Sequence, residues 1–275
     1  MQIAIISDIH GNVVALEAVL QDLERQGGAD HIVIPGDLVA FGPAPYETLA
    51  LVRQIKNTRL LSGNTDRYLI QKSYPSTMTD DSWQSRLLYS FHWTAERLGT
   101  EGLDFLKTLP FFQLLPLGSQ QLLAVHGSPR HDEEGLSLKT TPADLAAMAI
   151  APEVTLLIGG HTHVPMDRFI GDLRVLNAGS VGLPFDGDPR ACYALISNFD
   201  TENNGMPHIE FRRVAYDIEK AVHQFFTTDY PAAEVSAYNL RTARSLGSSP
   251  IYPAEMRRQK AGQPVLTVPG RVGAF

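Results

Sequence analysis

The sequence predicts an α/β fold built around an at least partly parallel sheet. Three observations lead there. Short apolar runs alternate along the chain with segments whose apolar residues recur at helical spacing. Most of the apolar runs end in a polar turn that contains glycine. The chain is 275 residues long and 44% hydrophobic, enough for a sizeable core without disulfides.

The elements follow in order. Residues 2–6 read as a buried first strand ending in Ser7-Asp8-Ile9-His10-Gly11-Asn12. Leu16, Val19, Leu20 and Leu23 then mark a helix, with Asn12 as N-cap and Gly27-Gly28 as its stop. Residues 31–34 form the next strand, ending in Pro35-Gly36-Asp37, and Thr48, Leu51, Val52 and Ile55 mark the next helix. Further strands are predicted at 59–61, 122–125, 154–158 and 173–176. They end in Ser62-Gly63-Asn64-Thr65-Asp66, His126-Gly127-Ser128, Gly159-Gly160-His161-Thr162-His163 and Asn177-Ala178-Gly179-Ser180. Residues 73–110 read as a mainly helical insertion that carries Trp83, Tyr89, Phe91 and Trp93, an aromatic group better explained as a small core than as a stacking platform. Late strands are predicted at 193–196 and 209–216. Beyond residue 217 the character changes to two helices, 218–226 and 232–246, and a tail dotted with proline and glycine from 248 to 275. The predicted organisation is one domain over 1–217 and a helical extension with a tail over 218–275.

Composition excludes several classes of function. The formal net charge is -7 and the pI about 5.7, with no long basic run. Broad binding to nucleic acid or to an anionic membrane needs a concentrated positive surface, so neither is expected. A small anionic substrate stays open, because bound cations can invert the field of an acidic site. The single cysteine, Cys192, excludes an internal disulfide and a cysteine-rich zinc site. The N-terminal residues lack the pattern of a signal peptide, and no window approaches the ~18 apolar residues of a membrane span. The expectation is a cytoplasmic protein, with a homo-oligomer left open.

The chemistry lies at the strand ends. Asp8, His10, Asp37, Asn64, His126, His161 and His163 each follow an apolar strand directly. In an α/β protein those carboxyl ends gather along one edge, where sites are usually built. Two carboxylates, one amide and four imidazoles suit borderline divalent metals such as Mn, Fe, Co, Ni or Zn better than an all-oxygen Ca or Mg cage. Seven ligands are too many for one catalytic ion but fit two ions that share a carboxylate. A histidine alone is more readily a core or turn residue, and Asp8 or Asp37 alone could be an N-cap. Their joint placement outweighs those readings. His31, His92, His131, His208 and His223 fall in no such block and read as surface or structural residues.

Asp8-Ile9-His10, Gly36-Asp37, Gly63-Asn64-Thr65-Asp66, His126-Gly127 and Gly160-His161-Thr162-His163 together resemble the five ordered blocks of the calcineurin-like metallophosphoesterase superfamily, most closely its small prokaryotic phosphoesterases. The segment from Asn177 to Pro184 resembles their late glycine-rich stretch, and the likeness runs from Met1 to about Tyr216. It implies a two-sheet mixed β-sandwich flanked by helices. It implies that Asp8, His10 and His163 hold one divalent ion, that Asn64, His126 and His161 hold a second, and that Asp37 bridges them. Manganese is the favoured metal, and Asp37, Asn64 and His10 are the catalytic members. The implied reaction is hydrolysis of phosphomonoesters or phosphodiesters by a water activated between the ions. Hydrolysis of a nucleotide-type phosphoanhydride and a catalytically idle scaffold are the alternatives. Many members carry histidine where this chain has Thr65, which is no strong proton donor at neutral pH. Thr65 and Arg130 are the expected substrate contacts.

Overall fold

The computed structural model describes residues 1–117, 120–197 and 207–245. The predicted tail from 248 to 275 lies outside them, as does Leu246 at the end of the last predicted helix. Two five-stranded sheets pack face to face. The first has the order β10 (His208–Val214), β9 (Ala191–Ser197), β1 (Ile3–Ile5), β2 (His31–Ile34), β3 (Thr58–Leu60). Strands β1, β2 and β3 run parallel, and β9 and β10 are antiparallel additions. The second has the order β4 (Phe112–Leu117), β5 (Gln120–Val125), β6 (Val154–Gly159), β8 (Leu173–Asn177), β7 (Met166–Ile170). Its centre, β5-β6-β8, is parallel.

Alternate residues explain the layers. On β1, Ile3 and Ile5 enter the core between the sheets, while Ala4 faces the helical layer. On β5, Leu122 and Ala124 enter the same inner core, and Leu123 and Val125 face outwards. Central strands are therefore covered on both faces and read as continuous apolar runs. Helices α1 (Val13–Arg25), α2 (Pro45–Val52), α3 (Asn64–Gln71) and α4 (Trp83–Lys107) lie with the first sheet, and the short α5 (Pro142–Ala146) lies with the second.

Each helix start has a local cause. The Asn12 side chain accepts the Ala15 N–H at the start of α1. Thr141 caps α5, with Pro142 at its first position and the Asp144 carboxylate returning to the Thr141 N–H. Helix α4 is interrupted at Gly99 (φ 61°, ψ -172°), so the predicted insertion is two helical pieces rather than one rod. Phe91 is fully buried and Trp93 packs edge-on against Tyr230, so these members of its aromatic group are core. Helices α6 (Ile218–Thr227) and α7 (Ala233–Thr242) pack back on the body, sharing one apolar cluster with Val14, Leu87, Trp93 and Leu183.

A partly buried ion pair ties the helical layer to the sheet. Asp22 of α1 accepts hydrogen bonds from Arg212 Nε of β10 at 2.8 Å and Tyr193 Oη of β9 at 2.8 Å. The Arg212 guanidinium holds the Asp22 carboxyl below its ordinary value, even though burial works the other way. A lowered folded-state pKa stabilises above the unfolded value of about 3.9 and is lost as pH falls through the folded value. Asp22→Asn is expected to cost about 1–3 kcal/mol at pH 7. The gap to the wild type should narrow in urea titrations as pH falls below the unfolded value and through the lowered folded one; an equal gap at neutral and at acid pH would assign the loss to shape rather than charge.

Candidate metal centre

The carboxyl ends of both sheets meet at one place. Asp8 and His10 follow β1, Asp37 follows β2 and Asn64 follows β3, all from the first sheet. His126 follows β5, and His161 and His163 follow β6, from the second. The single edge expected from the sequence is thus a seam between two sheets. Turning so sharply after a strand requires unusual backbone. Asp8 (φ 53°), His10 (49°), Asp37 (55°), His161 (67°) and His163 (58°) all occupy the left-handed region. Close approach adds its own demand: a Cβ on Gly36 would lie 2.3 Å from Gly63 N, and one on Gly160 2.7 Å from Asp8 Oδ2.

The imidazoles are oriented by backbone carbonyls. A carbonyl can only accept, so Nδ1 of His10 donates to Ala40 O at 2.9 Å, that of His126 to Pro35 O at 2.6 Å, and that of His163 to Leu183 O. In a neutral ring Nε2 then carries the lone pair. His10 Nε2 and His163 Nε2 nevertheless lie 3.1 Å apart, and Asn64 Oδ1 lies 2.9 Å from both His126 Nε2 and His161 Nδ1. Two groups of converging donor atoms result: the facing Nε2 lone pairs of His10 and His163 repel, while Asn64 Oδ1 accepts from whichever of the His126 and His161 rings carries a proton there. Asp37 lies between them, with Oδ2 at 3.6 Å from His10 Nε2 and Oδ1 at 3.5 Å from His126 Nε2. Asp8 Oδ1 is 3.3 Å from His163 Nε2. One atom each from Asp8, His10, Asp37 and His163 lies within 4.8 Å of the others. Asn64 Nδ2 and Thr65 Oγ1 are buried with no hydrogen-bond partner. This donor set fits divalent cations: it gathers carboxylate oxygens, an amide oxygen and imidazole nitrogens where a cation would be shared between them.

Protonation agrees. Burial and the adjacent His163 push His10 down to about 4, and burial with His126 does the same to His161, so both rings are neutral at pH 7. Burial would raise Asp8, yet His163 and its companions hold its carboxyl well below the usual range. His126 is raised, since Asp37 and Asp8 outweigh the burial that opposes its charge. The field at that point favours a cation.

Sequence reasoning missed Asp66. Its fully buried carboxylate accepts the backbone N–H of Asp37 at 2.8 Å, of Gly63 at 2.9 Å and of Leu38 at 3.1 Å. It joins the Asp37 turn to the Asn64 turn from beneath. Burial and the neighbouring Asp37 charge push it up to about 7 against those donors. The available signal was a carboxylate at the third position of a helix after a glycine cap. Neither expected substrate contact is presented freely. Thr65 is fully buried, with its N–H donating to Asp37 Oδ1 at 2.9 Å. The Arg130 guanidinium pairs with Glu134. His131, read as surface or structural, sits beside Asp132 and Glu133, whose carboxylates are held by Arg67 of α3.

Comparison with known proteins gives a consistent picture. A model of the calcineurin-like phosphoesterase superfamily domain matches residues 1–201. An uncharacterized protein of Methanocaldococcus jannaschii is 30% identical over 244 residues, 83% of this chain and 93% of its own length. Phosphodiesterase YfcE of Escherichia coli K12 is 28% identical over 207 residues, 72% of this chain and 88% of its own. A metallophosphoesterase from Sphaerobacter thermophilus superposes with a TM-score of 0.70 at 31% identity, covering 88% of this chain and all of that one.

Proposed function

The chain belongs to the calcineurin-like phosphoesterase superfamily, and on that premise we propose that it hydrolyses phosphodiesters, with its seven strand-end side chains holding two divalent ions. It is a metal-dependent phosphoesterase that acts on small phosphorylated substrates. The observation that carries the two-ion reading is Asp37, whose two oxygens lie beside two different imidazole groups. Asp8, His10 and His163 would hold one ion, Asn64, His126 and His161 the other, and Asp37 both. Manganese is our first choice among Mn, Fe, Co, Ni and Zn, all of which the mixed oxygen and nitrogen donor set admits. When bound, such ions supply an activated water and positive charge for the phosphoryl oxygens.

The chain's own residues set the remaining terms. Backbone carbonyls fix the tautomers of His10, His126 and His163, so their Nε2 atoms need no reorganisation. Thr65 lies beside Asp37 but offers no acidic proton, so departure of the ester oxygen relies on the leaving group's own stability. General acid help is commonly worth ~10²–10⁴-fold. Purified protein should therefore carry two equivalents of metal and turn over aryl diesters at least ~10²-fold faster than alkyl ones. Equal rates across a leaving-group series would refute this account of Thr65. Two bound ions with no turnover on a broad phosphate panel would refute the proposed reaction.

A further inference from the structure

The two halves of the metal centre have different surroundings. Around His161 the neighbours are polar or small: a Cβ on Gly135 would lie 3.2 Å from its ring and 2.7 Å from Thr162 Cγ2, and Ser128, Arg130 and Glu134 form one bonded group on the same segment. Around His10 and His163 the neighbours are aromatic. The Phe185 ring stacks on His163, with centroids 4.6 Å apart and planes at 8°, and the Phe41 ring lies 5.8 Å from His10. Both rest on the apolar cluster formed by Val14, Leu87, Trp93 and Leu183 with the C-terminal helices, so they line one side.

These rings are not ordinary core. Ile9, Leu38, Val39, Ala40 and Val181 beside them are fully buried, whereas Phe41 and Phe185 keep part of their surface in solvent and Val164, next to His163, is 40% exposed. Phe41 also holds φ at +71°, a genuine outlier for a bulky side chain. Its neighbour leaves the backbone no latitude, since a Cβ on Gly42 would lie 1.7 Å from His10 O. The turn that delivers Asp37 thus holds an aromatic ring beside His10, packed edge-on against the buried Phe91 at 4.8 Å and with part of its surface left in solvent.

Resting on the phosphodiesterase reading above, we propose that Phe41, Phe185 and Val164 seat the non-leaving organic group of the substrate, and that this group is planar and aromatic, an aryl ring or a nucleobase. The ester then lies across the centre with its phosphate at the ligands and its flat group on the His10 and His163 side. Offset or edge contacts between rings reward flatness beyond area alone, and an alkyl group forgoes them.

Diesters that share one 4-nitrophenyl leaving group but carry methyl, phenyl or thymidine 5′ as the other group separate this seat from the chemistry. The metal-loaded full chain should favour phenyl and thymidine over methyl by about tenfold or more in kcat/KM. Phenylphosphonate, which cannot be hydrolysed, should bind more tightly than methylphosphonate by a similar factor in calorimetry. Phe185→Ala should remove most of both preferences, and Phe185→Leu, which keeps bulk without flatness, should remove part of them and serves if the alanine variant fails to fold. A preference for phenyl only marks an aryl seat, and one shared with thymidine a base seat; either supports the proposal. Equal treatment of methyl and phenyl by the wild type, or an equal fall for both in the variants, would overturn it. Absence of turnover on all three diesters would instead overturn the phosphodiesterase reading.

Discussion

Asp37→Ala is expected to lower turnover of an aryl phosphodiester by at least about 10³-fold, with loss of roughly one equivalent of bound metal. The size follows from position. Its two oxygens lie beside His10 and His126, at 3.6 Å and 3.5 Å, so in the proposed two-ion centre one side chain would serve both halves. Ions poised over a reacting phosphate contribute several kcal/mol to its transition state, and each 1.36 kcal/mol is tenfold in rate. Asp37→Asn keeps the shape and the acceptor for Thr65 N–H but removes the charge, so it should fall between alanine and wild type. Metal analysis beside steady-state kinetics checks both. An alanine variant that retains two ions and more than a tenth of the activity would remove Asp37 from the bridging position.

Asp66→Ala should act without touching an ion. The change strips acceptors from the buried N–H groups of Asp37, Gly63 and Leu38. A buried donor left unpaired costs about 1–3 kcal/mol, so stability should fall by about 3 kcal/mol or more. Loss of support beneath a ligand commonly weakens metal affinity ~10–100-fold. Titration with Mn and urea denaturation in chelator separate the two effects. A destabilised variant with wild-type metal affinity would make Asp66 a fold residue only, and Asp66→Asn, which retains one acceptor oxygen, should recover part of each loss.

Much of this arrangement was legible in the residues, for a definite reason. Asp8, His10, Asp37, His126, His161 and His163 each follow a strand covered on both faces, and such strands leave an apolar run with an abrupt polar end; Asn64 follows the edge strand β3, where the Ser62-Gly63-Asn64-Thr65 turn was the signal. The edge strands left weaker traces. β7 has one neighbour, so Asp167 and Phe169 are exposed and its pattern is broken. The tight turn at Gly171-Asp172 between β7 and β8 was its usable signal. β4 contains Pro116, which argues against a central strand and is tolerated because β4 is an edge. Helix α5, five residues long, is too short for periodicity to reveal. Asp66 escaped notice because its partners are backbone amides, including Asp37 and Leu38 from another turn, and no side-chain pattern records them.

Five of the seven centre residues sit where a side chain is unwelcome to the backbone. Each such residue costs of order 1–2 kcal/mol relative to glycine or to a relaxed turn. Selection for heat resistance alone would accordingly begin by swapping Asp8, His10, Asp37, His161 and His163 for glycine or asparagine. A descendant of this chain freed from its reaction would drift the same way, gaining robustness as it lost its ions.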